Sequence, residues 1–300
     1  MEFIAALDSI ATGQYKLFSS TKNYCTYKVG GMAKYIISPQ SLKCLSDVTE
    51  LLKEYKIKYI VIGNGSNLLF SDKIYDGAII CTKNLRGVFC GANGTHVMCG
   101  TKLPELYDYC LAHSFGGTET LCDIPATVGG AVAMNAGAFG YSVSDYVNTV
   151  TVLENGKQVK YYKDECKFGY RKSRFLRDGS TIISVDFDFP YFAKTEIEKL
   201  RNKCLKSRLK TQPKGCCCGS VFKNPEGEYA ARLIEKCGLK GVKHGGAVIS
   251  SKHANFIINK KDASSDDIFF LIKLIKHSVF DKFGIELKEE VKYVGEFDDT

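Results

Sequence analysis

Residues 117–140 read GTETLCDIPATVGGAVAMNAGAFG, with five glycines, five alanines and only Glu119 and Asp123 charged. A segment so poor in side chains lets backbone approach a large flat or phosphorylated ligand closely, with N–H groups turned toward its oxygens. A tight helix crossing needs small residues as well, so the composition leaves both readings open. Upstream, Leu42 to Tyr55 carries apolar residues at helical spacing, and Tyr59 to Ile62 is a β-rich run that ends in a second glycine loop, Gly63-Asn64-Gly65-Ser66-Asn67-Leu68. That loop begins like a dinucleotide fingerprint, but Leu68 stands where the third glycine belongs, which argues against a Rossmann fold.

Working outward, β-rich segments recur at Ala78–Thr82, His96–Cys99, Val150–Glu154 and Thr181–Phe189, with a helix expected over Leu103–His113. The lysine-rich stretch Ala193–Leu209 reads as an amphipathic helix, followed by a turn at Gln212-Pro213-Lys214-Gly215. Beyond it, helices are expected at Ala230–Cys237 and Ser265–Phe283, each stopped by a glycine, with strands at Gly246–Ser250 and Phe256–Asn259. These patterns predict an α+β protein divided into residues 1–190 and 191–300.

The 300 residues carry 41 basic and 33 acidic side chains, a net +8 that favours anionic partners without choosing among them. Lysine and arginine are spread along the chain and no nucleic-acid-binding motif emerges, so a nucleic-acid partner is not expected. The apolar runs are short and no leader is evident, which predicts a cytoplasmic protein without a membrane span. The thirteen cysteines are scattered, as expected of reduced, mostly buried thiols. Cys216, Cys217 and Cys218 are adjacent, a spacing unsuited to a tetrahedral metal site, and no metal is expected. An exposed thiol there could be oxidised next to Ser220, or the three could be small side chains in a buried turn.

The two glycine loops, with Thr26-Tyr27-Lys28-Val29-Gly30-Gly31 ahead of them, resemble the FAD-binding half of the UDP-N-acetylenolpyruvoylglucosamine reductase family, also called UDP-N-acetylmuramate dehydrogenase. Further segments follow in the family's order: FGYRKSRF at 168–175, GSVFKNP at 219–225, SSKHANF at 250–256 and LKEEVKYVG at 287–295. The resemblance runs from about residue 20 to 295, and several ordered motifs are more specific than one glycine loop. It implies a two-subdomain FAD module of the vanillyl-alcohol-oxidase/p-cresol-methylhydroxylase type over 1–190, a substrate domain over 191–300, and a monomer. It implies non-covalent FAD, NADPH as reductant and UDP-N-acetylglucosamine enolpyruvate as the small-molecule substrate.

By the same resemblance, FAD contacts fall on Gly63, Asn64, Gly65, Ser66, Asn67 and Leu68, and on Ile124, Pro125, Thr127, Gly129, Gly130, Asn135, Ala136, Gly137 and Ala138. Asp123 and Ala126 replace two glycines of the family's usual loop, and Asp123, a carboxylate near the expected pyrophosphate, is not carried over as a ligand. Arg171, Ser220 and Glu290 resemble the catalytic residues, and Lys223 and Asn224, with Arg171 and Ser220, the substrate contacts. Lys223-Asn224-Pro225 is equally readable as a structural turn, and His253 as packing or as a donor to substrate. The register at the C-terminal motif rests on Val291 and Gly295, which assigns Glu290 and puts Glu289 in the family's proline position. The short link from Gly241 to Ser250 resembles the compact type without the inserted tyrosine loop. The chemistry suits these side chains: hydride addition to an enol ether leaves an enolate, which a planar guanidinium can pair and which then needs a proton. A related sugar or alcohol oxidase is the main rival, and it would carry a different C-terminal half.

Overall fold

The computed structural model describes residues 2–91 and 94–298. Helix and strand alternate through the chain, which is α+β. The chain forms two compact units, one of residues 1–16, 35–64 and 77–207 and the other of residues 17–34, 65–76 and 208–300. A single cut after residue 190 is not how these units divide. Residues 17–34 and 65–76 go with the C-terminal part, and the helix Lys194–Thr211 carries the chain out of the first unit.

In the first unit the expected helix is Leu42–Glu54, started by the Ser41 hydroxyl accepting from the Cys44 N–H. Its buried residues Leu45, Val48 and Leu52 follow the 3.6-residue period. An N-terminal helix, Glu2–Ala11, packs beside it through Phe3, Leu7 and Ala11. Tyr59–Ile62 runs parallel to the end of Tyr75–Cys81, with Ile60 opposite Ile79. A five-stranded antiparallel sheet follows in the order Lys157–Tyr162, Val147–Glu154, Thr181–Phe187, Gly94–Met98, Val88–Gly91. Every residue of Thr181–Phe187 is buried, as a central strand requires. The segment 117–140 contributes a short helix, Val128–Met134, that packs on this sheet through Val128, Ala131 and Val132.

The lysine-rich helix Lys194–Thr211 buries only Ile197 and Cys204, so it is less amphipathic than its spacing suggests. Ile197 packs with Tyr107 and Cys122.

The second unit is built on the helix Ser265–Phe283, which runs over the residues expected. Ser264 and Asp267 form a capping box at its start, and Gly284 at φ +66° closes its end. Ile268, Leu271, Ile272, Ile275 and Val279 form its buried stripe. A three-stranded antiparallel sheet joins Lys243–His244, Ala247–Ile249 and Ile257–Asn259, and Lys292–Val294 pairs in parallel with Leu68–Phe70.

In the five-stranded sheet, Asp186 lies opposite His96 on one side and Thr149 on the other. Its carboxylate accepts from the Thr149 hydroxyl at 2.7 Å, meets His96 Nδ1 at 2.6 Å and pairs with Lys160 at 3.4 Å. Burial opposes the charge, but these partners outweigh it and hold the carboxyl below its ordinary value. A depressed folded pKa stabilises the fold above the unfolded value near about 3.9, and that contribution is lost as the pH falls through the folded pKa. Asp186→Asn should therefore cost about 1–3 kcal/mol at pH 7, read as a lower Tm, and the gap from wild type should shrink as the pH falls below about 4. A gap that stays constant into acid would contradict this.

Candidate functional site

The two glycine loops meet within the first unit at Gly63. A methyl group on Gly63 would lie 2.0 Å from Thr127 Oγ1, so only glycine allows this approach. Next to it the Asn64 side chain donates to the Pro125 carbonyl at 2.8 Å. Thr127 caps the helix Val128–Met134, and its two glycines differ in role. Gly129 faces Cys99, whose Cβ a methyl would approach to 2.9 Å, whereas a methyl on Gly130 would meet only Thr127 Oγ1 at 3.4 Å. Gly129 thus serves packing, one of the two readings of the small-residue composition, whereas the space beside Gly130 is open.

Asn135 ends the helix in the left-handed conformation, φ +44°. Its buried amide donates to the Gly169 carbonyl at 2.9 Å and accepts from the Ser144 N–H at 3.3 Å, which fixes the backbone of the following Ala136, Gly137 and Ala138. Arg171 reaches the same stretch. Gly169 and Lys172 exchange both backbone hydrogen bonds at 3.1 Å, putting Tyr170 and Arg171 at the tip of a two-residue turn with Arg171 at φ +53°. From there its guanidinium donates to the Gly137 carbonyl at 2.9 Å and lies 5.1 Å from the Tyr170 ring centroid. Ser173 anchors the turn by donating to the Ala133 carbonyl at 2.6 Å while capping the helix Arg174–Asp178.

The residues present fit FAD. Ile124, Gly129, Gly130, Ala136, Gly137 and Ala138 are half-buried, and 124–138 contains no charged side chain. Asp123 does not spoil this surface with an uncompensated charge, because Arg201 of the helix Lys194–Thr211 pairs with it at 3.5 Å. Ala126 is buried in the core, with its carbonyl accepting from the Leu103 N–H, so its methyl group is accommodated.

The second unit holds Gly65, Ser66, Asn67 and Leu68 together with Lys223, Asn224, Ser220 and Glu290. A methyl on Gly65 would lie 1.9 Å from the Tyr24 carbonyl, again a position for glycine alone. Asn67 turns its amide to the Glu290 carbonyl at 2.9 Å, and its own carbonyl accepts from the Lys292 N–H at 2.9 Å. The Glu290 N–H donates to the Val221 carbonyl at 2.7 Å, and the Lys223 N–H to the Lys288 carbonyl at 2.9 Å. These bonds lay the Ser220 and Glu290 segments side by side. Glu289 sends its carboxylate to Lys276 at 2.8 Å.

Ser220 is half-buried between two anchors, Cys218 before it and Val221 and Phe222 after it. Gly219, at φ +73°, makes the bend between them. The Cys218 thiol donates to the Leu68 carbonyl at 3.1 Å, and burial pushes its pKa up, as it does that of Cys217. Cys218 is thus a buried packing residue, while Cys216 and Cys217 are half-buried. Asn224 Oδ1 accepts from the Ala230 N–H at 3.1 Å and starts the helix Ala230–Lys236, so the structural reading of Asn-Pro holds for that oxygen. His253 packs edge-on against Phe256, 4.7 Å between ring centroids, and burial lowers its pKa. Arg201 carries no signal in the sequence, since its partner is 78 residues away and no local pattern marks the pair.

With a glycine-rich surface that suits FAD, this α+β chain is an FAD-dependent oxidoreductase by its matches to known proteins. Residues 33–161 match the FAD binding domain, and residues 212–294 match the C-terminal domain of UDP-N-acetylenolpyruvoylglucosamine reductase. The chain is 42% identical over 276 residues to the UDP-N-acetylenolpyruvoylglucosamine reductase of Carboxydothermus hydrogenoformans, covering 91% of each protein. It is 41% identical to that of Prochlorococcus marinus, over 92% of this chain and 96% of the relative. The crystal structure of the Thermus caldophilus reductase superposes with a TM-score of 0.82 at 34% identity, covering 94% of this chain and 98% of that one. The chain belongs to the UDP-N-acetylenolpyruvoylglucosamine reductase family. A glucose dehydrogenase, Phl p 4, shares the fold alone over 65% of this chain, with a TM-score of 0.51 at 16% identity.

The Asp123–Arg201 pair makes a prediction about cofactor affinity. Arg201→Gln would leave a bare carboxylate beside the loop, and FAD should bind roughly three- to tenfold more weakly, a modest figure because the pair is partly exposed. Adding Asp123→Gly should restore affinity. Flavin fluorescence on titrating the apoprotein reads both, and equal affinity in wild type and Arg201→Gln would contradict the account.

Proposed function

We infer that this chain reduces UDP-N-acetylglucosamine enolpyruvate to UDP-N-acetylmuramate with NADPH, a step of peptidoglycan precursor synthesis. The observation that carries the reading is the bond between the Glu290 N–H and the Val221 carbonyl, which sets the Ser220 and Glu290 segments beside each other in a chain of this family. Bound FAD supplies hydride transfer from NADPH to the terminal methylene of the enol ether. The residues of the chain handle the charge and the proton that follow.

Arg171 pairs the substrate carboxylate as negative charge develops, the task for which a planar guanidinium is suited. Its mounting on the Gly137 carbonyl supports this, because the fork is already oriented and loses little freedom on binding. Ser220 gives its hydroxyl proton to the carbon next to the carboxylate, and Glu290 assists by stabilising or exchanging the enol proton. Lys223 and Asn224 meet the nucleotide-sugar diphosphate. FAD is held non-covalently, since none of the five histidines, at 96, 113, 244, 253 and 277, falls in the glycine loops. Among the described residues no helix is long and apolar enough to cross a membrane, in keeping with a cytoplasmic enzyme acting on soluble nucleotides. We read it as a monomer.

Stopped-flow measurement of the two half-reactions tests the residue roles. Ser220→Ala should leave flavin reduction by NADPH intact and slow reoxidation by the enolpyruvyl nucleotide by about 10²–10⁴-fold. An unchanged reoxidation rate would remove Ser220 from the mechanism.

Arg171→Lys keeps the charge and loses the fork, at a cost of about 3–4 kcal/mol in the same step. Glu290→Gln should slow that step with an altered pH profile, while Glu289→Gln, at the Lys276 ion pair, should affect stability alone. Damage from Glu289→Gln with a silent Glu290→Gln would shift the assignment by one residue.

A further inference from the structure

Asn255 holds the backbone that follows Ser220 more closely than any role yet described for it requires. Its side chain is buried, and both of its polar ends engage one residue. Oδ1 accepts from the Phe222 N–H at 2.9 Å, and Nδ2 donates to the Phe222 carbonyl at 2.8 Å. Its own backbone carbonyl accepts from the Val221 N–H at 2.9 Å. An amide presents one acceptor and one donor side by side and stays neutral across the pH range, so it pairs with a peptide as a neighbouring strand would. The Val221 carbonyl is left for Glu290, whose N–H it accepts at 2.7 Å.

We propose that Asn255 is the positioning residue for proton delivery, clamping Val221–Phe222 so that the Ser220 hydroxyl and the Glu290 segment keep one fixed register. The proposal rests on the assignment of Ser220 and Glu290 given above. The physical need is specific to this position. On the near side the anchor is Cys218, separated from Ser220 by Gly219, where a methyl group would meet nothing within 4 Å, so the bend itself is not packed in place. On the far side, Val221 and Phe222 are buried and their peptides are taken by Asn255 and Glu290. A hydroxyl is a weak acid and works as a proton donor only within hydrogen-bond reach of the reacting carbon, so displacement by about 1 Å is enough to cost about 10²-fold.

The test uses the FAD-loaded full-length protein with Asn255→Ala and Asn255→Asp, and Ser220→Ala measured alongside. In Asn255→Ala, flavin reduction by NADPH should stay within about twofold of wild type, reoxidation by the enolpyruvyl nucleotide should slow by about 10²-fold, and the Phe222 amide should exchange its hydrogen faster. On the Ser220→Ala background the same change should slow reoxidation far less, because the group it positions is gone. Asn255→Asp keeps the shape, but its carboxylate faces the Phe222 carbonyl at neutral pH, so its reoxidation rate should recover as the pH is lowered and the protonated acid can donate again. That recovery also serves if Asn255→Ala does not fold. Equal slowing of both half-reactions, or unchanged reoxidation, would overturn the clamp. If Ser220→Ala itself leaves reoxidation unchanged, the serine assignment fails and the clamp falls with it, whereas a slow Ser220→Ala with a normal Asn255→Ala sinks the clamp alone.

Discussion

The Val221 carbonyl accepts the backbone N–H of Glu290, and the placement of the Ser220 and Glu290 segments beside each other follows from that bond. It joins segments far apart in the chain. The loop at Gly65–Leu68 reaches the same place, since Asn67 donates to the Glu290 carbonyl, and the Lys292–Val294 pairing with Leu68–Phe70 extends the contact. Each buried peptide group left without its partner would cost about 1–3 kcal/mol, so such a set of bonds is held together or lost together.

The first unit works by the opposite means. Its glycine surface is made by leaving side chains out, and the constraint is how closely the backbones approach. Gly63 against Thr127 admits no Cβ, and the amides of Asn64 and Asn135 fix the loop from its two ends. Charge is managed rather than avoided: Asp123, beside the glycine-rich segment, is compensated by Arg201. The few polar residues of this minimal surface carry its architecture.

The elements with strong periodicity were legible in the sequence. Leu42–Glu54 and Ser265–Phe283 announce themselves by an apolar stripe, a serine cap and, in the second, a terminal glycine. The helix Val128–Met134 was not legible, because glycine and alanine carry no apolar-polar alternation and its second and third residues are poor helix formers. The discontinuous units were hidden for another reason, since parallel pairing between Lys292–Val294 and Leu68–Phe70 leaves no local signal. Motif order pointed to Arg171, Ser220 and Glu290, and the structure shows how each segment is mounted. Arg201 and the clamping amide of Asn255 depend on contacts that only folding creates, and spacing along the chain could not reveal them.

The flavin of this protein passes its electrons to an enolpyruvyl nucleotide. The most direct measurement is an anaerobic titration of the wild-type protein. NADPH should bleach the flavin absorbance, and UDP-N-acetylglucosamine enolpyruvate should then restore it with one nucleotide consumed per flavin and UDP-N-acetylmuramate formed in equal amount. A reduced flavin that ignores the nucleotide and is reoxidised only when dioxygen is admitted would contradict the account.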